Sequence, residues 1–164
     1  MKRTTILIIL FTIIIALGCK KENTTPQPPV ITFLEARIST SSSASVVKFE
    51  FFDENGDLGL RQEENSGEQA FNLFVDYYEK ENGIWILKSP IITFNFTENK
   101  FDTTELHLRF PFIENEDGSS LTGEAQIDLL YDFTADTFRY EIYIKDRSFK
   151  KSNTIVSTEI IVPN

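Results

Sequence analysis

The chain has 164 residues, with 16 basic residues against 25 acidic ones and a single cysteine. This acidic balance argues against nucleic acid as a partner and against general adsorption of the chain onto anionic lipid. One cysteine also excludes an intramolecular disulfide, so a folded domain must be held together by its hydrophobic core.

The N-terminus has the layout of a signal peptide, which we place at residues 1–18. Lys2 and Arg3 precede an apolar segment, 6–17, which is shorter than the roughly 20 residues that a membrane-spanning helix needs. The four residues that end at Cys19 resemble the lipobox of bacterial lipoproteins. The resemblance implies cleavage before Cys19 and a diacylglycerol thioether on its sulfur, so that acyl chains anchor the protein to a membrane.

The segment after the cleavage point reads as a spacer. Residues 19–29 hold Cys19 and a polar, Pro-rich tether, which is too polar to form a core and should be extended. Residues 30–164 then have the size and apolar content of one domain.

Period-two alternation of apolar and polar residues recurs through residues 30–164 and predicts strands without a convincing helix. Most strands have one apolar face, so two sheets must bury these faces against each other. We predict an all-β fold, an immunoglobulin-like antiparallel β-sandwich of about eight strands, with a closed β-barrel as the alternative. The segments expected to be strands are 30–38, 47–52, 71–78, 84–88, 91–96, 105–112, 124–133, 138–145 and 154–162. The side chains expected to point inward are Phe49, Phe51, Leu73, Leu108, Ile127, Leu129, Tyr140 and Ile142.

An acidic turn follows the second predicted strand. Asp53, Asn55 and Asp57 place oxygen ligands at alternate positions, and Ca²⁺ is bound by six to eight such oxygens. The alternative is a simple β-turn at Asn55-Gly56 with solvated acids around it.

Two further features lie in the middle of the chain. Phe74, Tyr78 and Trp85 fall on the nominal outer face of neighbouring strands, where they could form an aromatic platform for a glycan or a partner protein. The alternative is a core face or a face covered by a loop.

His107 is the only histidine and should point out of the sheet, and the chain has no Gly-x-Ser-x-Gly elbow. The sequence therefore favours a protein that is not an enzyme.

The last hairpin is expected to meet the acidic turn. In an immunoglobulin-like sandwich, the loop after the second strand and the last hairpin loop lie at the same end. We therefore predict that Asp146 lies near Asp53 and Asp57, on the end that faces the tether, and that it completes a calcium site. Ca²⁺ would relieve the repulsion among these carboxylates.

The lipobox, the Pro-rich tether, the segment 51–59 and the late segment 144–153 together resemble small outer-membrane lipoproteins of Bacteroidota with an immunoglobulin-like domain. The resemblance implies a lipid-anchored protein of the outer membrane and leaves the periplasmic and the cell-surface face open. The functional hypothesis is a non-catalytic binding or structural module of the cell envelope, stiffened by Ca²⁺, whose partner is an envelope protein or a glycan. The alternative is a small envelope enzyme that acts on glycan or peptide polymers.

Replacement of the lipobox cysteine tests the anchor. Cys19→Ala removes the thiol that accepts the diacylglycerol group, so the variant should take up no lipid and should accumulate as a precursor. Metabolic labelling with a palmitate analogue measures this directly. Equal label in the wild-type and variant chains would contradict the lipobox assignment.

Overall fold

The computed structural model describes residues 26–42, 44–115 and 118–163. The predicted signal peptide, Cys19 and the first part of the tether lie outside these ranges, so what was expected of them stays a prediction. Within the described ranges, no helix is long and apolar enough to cross a membrane.

Strands make up nearly all of the regular structure. The helical content of the described ranges is one short 3-10 turn, Gly67–Gln69. The strands are β1 (Val30–Ile38), β2 (Ser45–Asp53), β3 (Leu73–Glu81), β4 (Ile84–Leu87), β5 (Ile91–Asn95), β6 (Lys100–Thr104), β7 (Leu121–Leu129), β8 (Thr137–Ile144), β9 (Ile155–Val156) and β10 (Ile160–Ile161). The all-β prediction is confirmed.

Two antiparallel sheets form the sandwich. One has the strand order β1-β2-β7, and the other has the order β10-β8-β3-β4 with β9 also paired to β8. A separate hairpin of β5 and β6 completes the described strands, which do not close into one barrel.

The core lies between the two sheets, as the alternation in the sequence predicts. Phe49 and Val47 of β2 and Val75 and Tyr77 of β3 belong to it, and all four are fully buried. Six of the eight side chains expected to point inward are buried, and the other two, Leu108 and Ile127, are half-buried and pack against the same core.

The prediction of a strand at residues 105–112 is wrong, because no strand of the structure spans this segment. The structure places β6 earlier, at Lys100–Thr104, where it pairs with β5 across a short turn. Beyond it, residues make only isolated bridges, Leu108 with Leu73 and Pro111 with Leu60. Pro111 has no N–H to donate to a neighbouring strand. The segment therefore does not form a continuous β-ladder, although its apolar and polar residues alternate.

A buried hydroxyl pair joins the two sheets. Ser45, at the start of β2, is fully buried, and its single hydroxyl proton is shared between two acceptors, the Leu129 carbonyl at 3.1 Å and the Tyr140 hydroxyl oxygen at 2.7 Å. The Tyr140 hydroxyl also donates to the Leu130 carbonyl at 2.9 Å.

Ser45→Ala should therefore lower the free energy of unfolding by about 1–3 kcal/mol, because it leaves buried polar atoms with fewer partners. Urea denaturation measures the change. Ser42→Ala, in an exposed loop, is the matched control and should leave the midpoint unchanged. Equal midpoints for both variants would show that the hydroxyl pair contributes nothing.

Candidate metal centre

The acidic turn begins where β2 ends. Asp53 is fully buried, and its carboxylate accepts hydrogen bonds from the backbone N–H of Leu58 at 2.8 Å and of Asn55 at 3.3 Å. Gly56 has φ +67°, and a Cβ at this position would clash with the Ser119 carbonyl oxygen. The turn is therefore tightly built around the Asp53 carboxylate, and Gly56 is required both by its backbone angle and by this close approach.

Asp146 enters from the loop that follows β8. Its side chain is almost completely buried, since the residue is 1% exposed. Oδ1 accepts a hydrogen bond from the Lys150 N–H at 2.7 Å, and the Asp146 carbonyl accepts one from the Phe149 N–H at 3.1 Å. The loop thus folds tightly around the Asp146 carboxylate.

The two loops bring three acids together. Asp53, Asp57 and Asp146 offer carboxylate oxygens that all lie within 4.8 Å of one another. The loops are joined directly, since the Arg147 N–H donates to the Asp57 carbonyl at 3.2 Å and the Ser148 hydroxyl donates to Asp57 Oδ2 at 2.6 Å. The predicted proximity of Asp146 to the acidic turn is confirmed, while the binding of an ion stays a prediction.

Asn55, which we expected as a fourth ligand, is used differently. Its Nδ2 donates to the Gln27 carbonyl at 2.7 Å, and its Oδ1 accepts from the Gln27 N–H at 3.4 Å. The Asn55 amide therefore ties the tether to the turn. The alternation of Asp53, Asn55 and Asp57 predicted a ligand at Asn55, but it carries no information on the contact of this residue with Gln27, which is 28 positions away in the sequence.

The negative charge of the acid cluster is only partly compensated by hydrogen bonds. Oδ1 of Asp57 and Oδ2 of Asp146 are buried and accept no hydrogen bond within the described ranges. No salt bridge to any of the three acids exists there. Arg147, the adjacent cation in the chain, instead places its guanidinium over the Phe112 ring, 5.0 Å from the centroid.

Burial and mutual repulsion change the acidity of these groups. Burial raises the pKa of Asp146 to about 6, and the Asp57 and Asp53 carboxylates add to the increase while the Lys150 N–H opposes it. Burial, followed by repulsion from Asp57, also raises the pKa of Asp53. Both carboxyl groups therefore bind a proton more readily than exposed aspartates do, because burial and the neighbouring carboxylates destabilise their charged forms.

A divalent cation fits this donor set. Two oxygens bound to one Ca²⁺ at about 2.3–2.6 Å each can lie up to about 5 Å apart, which the cluster satisfies. Ca²⁺ accepts several carboxylates with backbone carbonyls and water in a flexible shell, whereas Mg²⁺ usually uses one or two carboxylates in strict octahedral geometry. Asp53, Asp57 and Asp146 would be the protein ligands.

The predicted aromatic platform lies on the outer face of the second sheet. Phe74 and Tyr78 alternate with buried Val75 and Tyr77 along β3, and Trp85 of β4 pairs with Lys80 of β3. All three predicted platform residues are half-buried. The structure brings them to one face.

That face also contains residues that sequence reasoning missed. Tyr143 of β8 stacks on Phe74 with ring centroids 4.8 Å apart and planes 10° apart. Arg139 lies over both Tyr78, at 5.3 Å, and Trp85, at 4.6 Å. The signal was available in the alternation of β8, but only the pairing of β8 with β3 placed these side chains beside the platform.

His107 packs against this face and has a structural role. Its Nδ1 accepts a hydrogen bond from the Val75 N–H at 3.4 Å, and its ring meets Phe74 edge-on at 5.1 Å. One ring nitrogen is thus used by the backbone of β3.

Comparison of the chain with protein-family models, with curated proteins and with solved structures found no match. Assignment of function therefore depends on the geometry of the chain itself.

The acid cluster should make metal-free stability depend on pH. Because the pKa of Asp146 lies above the 3.8 of an ordinary aspartate, the folded protein binds this proton more tightly than the unfolded chain does. Its stabilising contribution is present below about pH 4 and is lost as the pH rises through about 6. Asp146→Asn should therefore raise the melting temperature of residues 20–164 in chelator at pH 7 and change it little at pH 4.

Thermal melts of both proteins across this pH range provide the measurement. If Asp146→Asn is less stable than the wild-type chain at pH 7 in chelator, repulsion between Asp146 and the other two carboxylates does not destabilise the metal-free fold.

Proposed function

We propose that the chain is a lipid-anchored lipoprotein of the bacterial outer membrane whose immunoglobulin-like sandwich is a non-catalytic binding or structural module, stiffened by Ca²⁺. The observation that carries the calcium part of the proposal is the buried, unpaired oxygen of Asp146 in the cluster with Asp53 and Asp57. The lipobox at Cys19 supports the anchor.

The ion would act as a structural cross-link. Asp53 and Asp57 belong to the loop after β2, and Asp146 belongs to the loop after β8, so one ion would join the two sheets at their shared end. In the native state, Ca²⁺ converts a repulsive cluster into a bonded one, whereas the unfolded chain does not hold the three carboxylates together. Binding to the native state alone raises stability by mass action.

The non-catalytic part of the proposal is supported by how the titratable groups are used. His107 is engaged with the backbone of β3 and with neighbouring rings, and the acid cluster is largely buried beneath its own loops. Contact with an envelope protein or glycan is assigned to the outer face of Phe74, Tyr78 and Trp85, where aromatic planes and cations alternate. Such planes suit the apolar faces of sugar rings and the flat surfaces of partner proteins.

Calcium titration of residues 20–164 tests the proposal. At a hundredfold excess over Kd, Ca²⁺ should raise the free energy of unfolding by about 2.7 kcal/mol, because it binds only the folded state. Thermal melting with calcium or with chelator measures the shift. Asp57→Ala removes one ligand and should abolish the response.

Asp128→Asn provides the matched control, since Asp128 is an exposed acid on β7 away from the cluster. This variant should respond to calcium as the wild-type chain does. An unchanged melting temperature of the wild-type domain in calcium would refute the ion site.

A further inference from the structure

Positive charge collects in one loop of this acidic chain. Residues 145–151, the first part of the connection between β8 and β9, form the basic loop. It contains one acid, the buried Asp146, and four cations: Lys145, Arg147, Lys150 and Lys151. None of the four forms a salt bridge within the described ranges. Lys150 and Lys151 are exposed, whereas Lys145 and Arg147 are half-buried. The exposed charge of the basic loop is therefore carried mainly by two lysines and is opposite in sign to the chain's net charge of −9.

An exposed aromatic ring stands at the tip of the basic loop. Phe149 is 44% exposed and has φ +62°, a left-handed conformation that is unusual for a bulky residue. Its N–H donates to the Asp146 carbonyl, which fixes the backbone that presents the ring. Lys150 and Lys151 follow Phe149 directly in the chain. An exposed aromatic ring beside lysines suits the membrane interface, where the ring enters the boundary of headgroups and acyl chains while the cations meet the phosphates.

The basic loop lies at the end of the sandwich from which the tether leaves. Asn153, just after the loop, accepts a hydrogen bond from the Ile31 N–H at 2.9 Å and donates to the Ile31 carbonyl at 2.8 Å. Asn55 binds Gln27 at the same end. Even fully extended, the chain from Cys19 to Gln27 spans at most about 30 Å. A lipid anchor on Cys19 would thus keep the end of the sandwich that carries the basic loop within about 30 Å of the membrane surface.

The acid cluster lies directly beneath the basic loop and sets the net charge of this end. Residues 53–57 and 145–151 together carry four acids, and these balance the four cations of the basic loop. One Ca²⁺ in the cluster would leave this end with a surplus of two positive charges. It would also hold the basic loop in place, because Asp146 is both a proposed ligand and the residue around which the loop folds.

We propose that the basic loop docks the sandwich, in a calcium-dependent manner, on anionic lipid headgroups of the membrane that holds the anchor. Phe149 enters the interface, and Lys150 and Lys151 contact lipid phosphates. The proposal rests on the proposed lipid anchor and calcium site and adds a second membrane contact made by the folded domain. The acidic composition of the whole chain does not oppose this contact, because screening confines the interaction to charges within about 10 Å of the surface.

Tryptophan fluorescence of the full lipidated chain in vesicles tests the docking. Trp85, the only tryptophan, lies on β4, which pairs with the half of β3 remote from the basic loop. The double variant Trp85→Phe/Phe149→Trp moves the single fluorophore to the loop tip. Brominated acyl chains should quench this loop-tip fluorophore in vesicles that contain phosphatidylglycerol and calcium, and should quench Trp85 of the wild-type chain much less.

Charge reversal in the same double variant separates docking from simple anchoring. Each lysine near an anionic surface should favour the docked state by about fivefold, so Lys150→Glu/Lys151→Glu should remove most of the quenching. Lys48→Glu/Lys100→Glu changes the net charge equally at sites outside the loop and should leave the quenching intact. Chelator, or vesicles of phosphatidylcholine alone, should reduce it as well.

The outcomes distinguish the docking from the proposals on which it rests. A loop-tip fluorophore that is quenched no more than Trp85, or that is unaffected by reversal at Lys150 and Lys151, overturns the docking while flotation with the vesicles keeps the anchor. A chain that fails to float with the vesicles overturns the anchor and the docking together. Charge-dependent quenching that is the same in calcium and in chelator overturns the calcium dependence.

Discussion

Repulsion among three carboxylates governs the loop end of this sandwich. Asp53 and Asp146 are almost completely buried, and Asp57 lies where the two loops that carry them meet. Backbone N–H groups of Leu58 and Lys150 compensate part of the charge. The remaining charge has no salt-bridge partner in the described ranges, so a proton or a metal ion is the physical means of relieving it.

The opposite end and the middle of the sandwich are held together by apolar packing and satisfied hydrogen bonds. Alternating apolar side chains of β2, β3 and β8 fill the space between the sheets, and a hydroxyl pair at Ser45 and Tyr140 satisfies the polar atoms buried with them. A core of this kind holds the strands in register without a disulfide. The stable sheets can then hold together two loops whose carboxylates repel each other.

The net charge of the whole chain and the local charge of the loop at residues 145–151 differ in sign. The net charge of −9 describes an acidic protein, yet four cations lie within residues 145–151, and none of them forms a salt bridge in the part of the chain that the structure describes. Lys145 and Lys151 lie over Phe74 and Tyr143, at 5.3 Å and 3.7 Å from the ring centroids. These aromatic rings hold the two lysines on the outer face of the second sheet. The acidic composition of the chain gives no indication of a positive patch at this position.

Alternation in the sequence was sufficient to predict the all-β class and most strand positions, because a period of two reports directly which side chains face a core. The meeting of Asp146 with Asp53 and Asp57 was also predictable, since strand order in this type of sandwich brings those loops to one end. The position of β6 at Lys100–Thr104 was not, because pairing with β5 selects that segment and alternation does not. The contact of Asn55 with the tether and that of Arg139 with Trp85 likewise emerged only from the folded chain, because each joins segments far apart in the sequence.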